Sequence, residues 1–217
     1  MISIKGEWIT SNIEQRVTDA STGPEMRKYI MERFKWNEES FNCVNWEEIE
    51  QARRGCSKKE NIMVSKLMFD WIDSGHQKAK MEQEKGCPCC GADDETLEHI
   101  FQFTNKQMCK VRNEIFEMVT KTLQGIRCPD QVVCPFVEAL KCLSEGKDIT
   151  ITERIGKKVA TAIEDQRWIC KHLMLRGILS RKWRDAIAEY TKERISSKEG
   201  HLIKVIWKQV FKPLWNQ

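Results

Sequence analysis

Apolar residues recur every three to four positions along most of the chain, which predicts a mainly α-helical fold. Trp46, Ile49 and Ala52 mark one helix, with Asn45 and Glu48 spaced as a capping box and Gly55 as its stop. Ile62, Val64, Leu67, Met68, Trp71 and Ile72 mark the next, from Asn61 to Trp71, ended by Ser74-Gly75. Gly23-Pro24 predicts the opening of a helix that runs to about Phe34, because proline favours the first turn. Further on, Met108, Val111, Ile115, Met118, Val119 and Leu123 form a stripe closed by Gly125. Val132, Val133, Phe136, Val137, Leu140 and Leu143 form another, with the helix start expected near Pro135. A long helical region is expected from Thr152 to about Ile195, broken at Gly177. A final amphipathic stretch runs from Leu202 to Trp215, ended or kinked at Pro213. Only Ile2–Trp8 alternates with period two, which predicts a short strand or strand pair. The polar stretch His76–Lys85 reads as a helix end or hinge. The expected division is therefore a helical region over 1–85, a knuckle-like segment over 86–105 and a helical region over 106–217.

That middle segment carries the candidate chemistry. Cys87-Pro88-Cys89-Cys90-Gly91 places two thiols two residues apart beside a glycine, and His99 follows nine residues after Cys90. Zinc takes four thiolate or imidazole ligands in a tetrahedron, and two cysteines at this spacing ligate from one tight turn. Asp93 or Asp94 is placed to cap a helix through His99, so that His99 and position 103 share a face. A fourth ligand belongs there, but the residue is Phe103. The substitutes are Cys89, a water molecule, or Cys109, which on one continuous helix would lie about 15 Å from His99.

These residues resemble the zinc-binding region that follows the reverse transcriptase part of retrotransposon polyproteins. The likeness rests on Cys87-Pro88-Cys89-Cys90-Gly91, Glu95-Thr96 and His99-Ile100-Phe101. It extends upstream to Phe41-Asn42, Val44-Asn45-Trp46-Glu47 and Ser65-Lys66-Leu67-Met68 with Trp71, and downstream to Gly177, Leu179-Ser180, Trp183, Leu202-Ile203 and Ile206-Trp207. The resemblance implies a zinc ion held by Cys87, Cys90 and His99. It also implies a C-terminal piece of a larger polyprotein, with any polymerase or RNase H lying upstream. Phe103 and Pro213 depart from the family pattern, as expected of a drifted mobile-element copy.

Charge adds a partner class. From Lys147 onward the chain holds 16 Lys/Arg and 8 Asp/Glu, a net +8, while the preceding 146 residues carry a net −4. A basic C-terminal third suits RNA or single-stranded DNA, with Arg181, Lys182 and Arg184 as candidate phosphate contacts. Trp168, Trp183, Trp207 and Trp215 lie among these cations and are expected in helix cores rather than on bases. His172 is expected to be a satisfied structural histidine.

At 217 residues and 41% hydrophobic content the chain is long enough for a full core. No apolar run approaches the roughly 20 residues needed to cross a membrane. The first residues lack a signal-peptide core, so an intracellular location is expected. In that setting the ten cysteines favour thiols over disulfides, with Cys134 and Cys142 expected as buried structural residues. An enzyme is not expected. Asp130, Glu138 and Lys141 lack the spacing and the strands of a nuclease site, and no phosphate-cradling glycine loop exists. The expected function is a non-catalytic nucleic-acid-binding module; the alternative is a helical interaction scaffold with a vestigial metal site.

Overall fold

The computed structural model describes residues 2–4, 7–9, 13–72, 74, 86–87, 90–93, 95–102, 106–191 and 198–215. It is mainly helical, as the periodicity predicts, and it divides into two compact units, 1–42 and 43–217.

The first unit opens with an antiparallel pair, β1 (Ile2–Ile4) and β2 (Glu7–Ile9), in the register Ile2–Ile9, Ser3–Trp8 and Ile4–Glu7. Helix α1 (Ile13–Phe34) begins well before Gly23-Pro24 and runs through Pro24. The proline removes one main-chain hydrogen bond from the interior instead of opening the helix. Lys35 turns the chain at φ 54° into α2 (Glu38–Cys43). Arg27 fastens this corner: its guanidinium pairs with Glu38, donates to Asn42 Oδ1 at 3.3 Å and lies 4.5 Å above the Phe41 ring.

The second unit is held together by a helical core. Helix α3 (Trp46–Arg54) starts where Asn45 Oδ1 accepts from the Glu48 N–H, and it stops at Gly55. Helix α4 (Lys58–Met68) starts three residues earlier than the stripe suggests. Ser57 and Glu60 form a reciprocal capping box there. Val64, Leu67, Met68 and Ile72 are buried, but Ile62 and Trp71 are about half exposed. Asp70, at φ 54°, ends the helical path and swings Trp71 off the buried face.

Helices α5 (Leu97–Phe101), α6 (Lys106–Gly125) and α7 (Asp130–Ser144) follow, with α6 and α7 packed on each other. Helix α7 starts at Asp130, five residues before Pro135. The carbonyl that Pro135 cannot satisfy belongs to Gln131 in the exposed first turn. Cys134 is exposed and Cys142 half-buried, against expectation, because Val133, Phe136, Val137 and Leu140 take the inner face. Met118 likewise faces outward.

Helix α8 (Lys157–Cys170) passes into a 3₁₀ segment, Lys171–Arg176, which Gly177 closes in the left-handed conformation. Its amide donates to Met174 O, and that of Ile178 to Leu173 O. The chain then runs extended to Ser180, which bridges to Val44, before α9 (Lys182–Tyr190) packs on α8. Buried Gln166 serves this extended piece as a strand would: it donates to Ile178 O at 3.0 Å and accepts from Ser180 N–H at 3.1 Å. Trp183 is fully buried edge-on against Phe136 at 5.0 Å. Burial of a side chain of that size contributes about 1.5–3 kcal/mol.

The last helix is not ended at Pro213, and it departs from regular α geometry just before it. It runs as α10 (Lys198–Val205), widens into a π segment over Ile206–Phe211, and continues as α11 (Lys212–Trp215). Lys212 N–H reaches back five residues to Trp207 O. This wider spacing accommodates the proline ring and its missing donor one position on. Helix α10 packs on α3, and the π segment packs on α6 and on the 3₁₀ segment.

Candidate metal centre

The loop that carries the thiols is a double turn. Cys87 N–H donates to Ala92 O at 2.8 Å, and Gly91 N–H donates back to Cys87 O at 2.9 Å. Closing it needs a left-handed residue, and Gly91 supplies φ 72° without a Cβ penalty. Cys87 is buried and Cys90 exposed. The histidine comes from α5, whose N-cap is Thr96 rather than Asp93 or Asp94: its hydroxyl accepts from His99 N–H at 3.1 Å. Leu97, Ile100 and Phe101 bury one side of this single turn and leave the half-buried His99 ring toward the thiols.

Sequence and fold thus bring Cys87, Cys90 and His99 together: one donor atom from each lies within 4.8 Å of the other two. Cys90 Sγ is 3.1 Å from His99 Nε2. In a tetrahedral zinc site that S–N edge is about 3.6 Å, from bonds of about 2.3 and 2.05 Å. An ion therefore needs this pair to part by about 0.5 Å, a side-chain adjustment. Two thiols and an imidazole supply three of the four ligands of a structural zinc site, and the residues brought together here fit the metal to that extent.

Cys109 does not join them. Helix α5 stops at Phe101 and α6 starts at Lys106, so the continuous helix that would hold Cys109 away is broken, yet Cys109 is not among the grouped donors and its thiol accepts from Arg112 Nη2 at 3.5 Å. Position 103 and Cys89 lie outside the described residues, as does the His76–Lys85 stretch. The described cysteines form no disulfide among themselves.

Three charged residues that the periodicity passes over brace the histidine helix. Glu98 pairs with Arg176 at 2.5 Å; the arginine side chain is 11% exposed. Burial alone would raise the Glu98 carboxyl, but the Arg176 charge and hydrogen bond outweigh it and hold the group below the usual carboxylate range. Arg112, 7% exposed, donates from Nη1 to Phe101 O at 3.1 Å, and Gln102 Nε2 donates to Leu143 O at 3.2 Å. A cation in the α6 stripe between Met108 and Ile115 is the sequence signal that could have exposed the Arg112 contact. Close by in chain, His172 Nδ1 is buried with no hydrogen-bond partner, so this histidine is not satisfied as expected. Burial, reinforced by Lys171 and Arg176, pushes it below its usual value.

The three candidate phosphate contacts cluster at the start of α9 but are engaged within the protein. Arg181 Nε donates to Val44 O at 3.1 Å, Lys182 Nζ lies 3.4 Å from Asp185, and Arg184 lies 3.9 Å from Glu47. Lys157 and Lys158 line the same groove as Lys182. Among the tryptophans, Trp183 and Trp207 are core residues as expected, whereas Trp168 is half exposed; the Trp215 side chain is outside the description. No helix among the described residues is long and apolar enough to cross a membrane.

No known family, curated protein or solved structure matches the chain.

Proposed function

We propose that this protein is a non-catalytic nucleic-acid-binding module, similar to the zinc-binding C-terminal region of a retrotransposon polyprotein. In this reading Cys87, Cys90 and His99 hold a zinc ion. The observation that carries the reading is the convergence of those three donors on one small loop, whose turn is closed by two main-chain hydrogen bonds. Zinc here would be structural: it joins the thiol turn to α5, and its binding free energy adds to folding. The net charge of +8 from Lys147 onward supports a single-stranded RNA or DNA partner. Arg181, Lys182 and Arg184 would contact phosphates, the last two by exchanging Asp185 and Glu47 for backbone oxygens, with Lys157 and Lys158 beside them.

Two measurements test the two halves. Elemental mass spectrometry of the purified protein is expected to find about one zinc per chain, lost in Cys87→Ser/Cys90→Ser; no zinc in either refutes the metal centre. Fluorescence anisotropy with a single-stranded RNA 20-mer tests the partner. Three phosphate contacts predict an affinity about 20-fold weaker at 200 mM than at 50 mM salt, from a slope of about −0.7 per contact. A salt-independent affinity, or none, refutes it. The engagement of all three cations inside the protein favours one rival, a helical interaction scaffold with a vestigial metal site. That rival predicts thermal melting unchanged by chelation.

A further inference from the structure

The second unit has a groove far from the thiol turn in sequence, between α4 and the π segment. Its floor is apolar, built from Met63 on α4 and from Trp207 and Phe211, four residues apart on the π segment. Its volume is about 430 Å³. That lies inside the range of roughly 300–1,000 Å³ typical of small-molecule sites.

The rim is cationic. Lys59, Lys208 and Lys212 surround the floor, and Glu60 is the one carboxylate among the described lining residues. Glu60 is already committed: Oε2 accepts from Ser57 N–H at 2.8 Å in the α4 cap, and Oε1 lies 3.8 Å from Lys208 Nζ. Lys59 and Lys212 are exposed, and among the described residues neither has a carboxylate within 4.0 Å. The floor offers methylene, thioether and ring surface, while the buried indole N–H of Trp207 is taken by Arg176 O at 3.0 Å. An apolar floor with Lys59 and Lys212 at its edge, the latter outside ion-pair distance of Glu60 but within reach of its charge, complements one class of molecule: an apolar body with a single anionic head.

We propose that this groove binds a small amphiphilic anion, an aliphatic or aromatic chain carrying a carboxylate, with the head between Lys59 and Lys212 and the chain over Met63 and Phe211. The site is independent of the metal centre and of nucleic-acid binding.

Isothermal titration of the intact chain with dodecanoate tests it, alongside dodecanol and adenosine monophosphate. Dodecanoate is expected to bind in the micromolar range, at least tenfold tighter than either control. Lys59→Ala/Lys212→Ala is expected to weaken it tenfold or more. Met63→Glu, at a half-buried position that tolerates a polar side chain, is expected to abolish it; circular dichroism checks that both variants remain helical. Three results overturn the proposal: no heat with dodecanoate up to millimolar concentration, equal affinity for dodecanol, or an affinity unchanged in the double variant. Tighter binding of adenosine monophosphate also overturns it, in favour of a nucleotide site.

Discussion

Gly177→Ala should be among the most damaging single-methyl additions in this protein. Gly177 sits at φ 76°, ψ 18°, where an alanine costs about 1–2 kcal/mol. Its new Cβ would lie 2.3 Å from Trp207 Nε1 and 3.0 Å from both Cδ1 and Cε2 of the same indole. No such contact is tolerable, and Trp207 is only 4% exposed, so the ring cannot move without disturbing its packing. Moving it breaks the Nε1–H bond to Arg176 O, worth about 1 kcal/mol, and repacks the surrounding core at about 1–3 kcal/mol. Together these give a loss of about 3–6 kcal/mol, against a total stability on the order of 5–15 kcal/mol. Urea unfolding followed by circular dichroism measures it. The same substitution made in a Trp207→Ala background should cost only the backbone part, about 1–2 kcal/mol, because every ring atom that meets the new Cβ is gone. A cost below about 1 kcal/mol, or an equal cost in both backgrounds, would show that the close approach does not govern this turn.

Other outcomes follow from the same structure. Ser57→Ala removes the acceptor for Glu60 N–H and should destabilise by about 1 kcal/mol in urea titration, with Thr96→Ala similar for α5. Arg176→Met leaves the half-buried Glu98 charge without its partner and should lower stability by about 1–3 kcal/mol; an unchanged midpoint would mean the pair is fully solvated. If zinc binds, a free concentration one hundred times its dissociation constant should add about 2.7 kcal/mol and raise Tm accordingly. In excess chelator, stability should fall as pH drops below about 6.5. The folded His172 is held below its usual pKa, so the unfolded chain takes up the proton first and stability is lost progressively toward the lower folded value. His172→Gln should flatten that limb, and a limb that persists would assign it elsewhere.

The helical class and most of the core were legible because apolar spacing records which face is buried. The Asn45 cap, the Gly125 and Gly177 stops, and the Cys87/Cys90/His99 group all follow from residue type at short range. What escaped depends on long-range geometry. Pro24, Pro135 and Pro213 look like helix boundaries locally, yet each is absorbed within a helix. Trp71 and Trp168 fit helical stripes, but a turn at Asp70 and the packing of α8 leave them outside. The braces on α5 come from Arg112 and Arg176, the latter 78 residues from Glu98, and no local pattern announces such a pairing.

The bridge between Val44 and Ser180 has a consequence for biosynthesis. Arg181 N–H donates to Cys43 O, Asn45 N–H donates to Leu179 O, and the Arg181 guanidinium caps Val44 O, across 137 residues of chain. At about 5–20 residues per second, a ribosome needs roughly 7–27 s to make the second half of this clasp after the first. During that interval the start of α3 waits with its partner unmade, and Ile49 and Ala52 await the still later α10. The second unit therefore cannot complete its fold until α10 and the π segment have been made, and until then its early helices keep apolar faces uncovered.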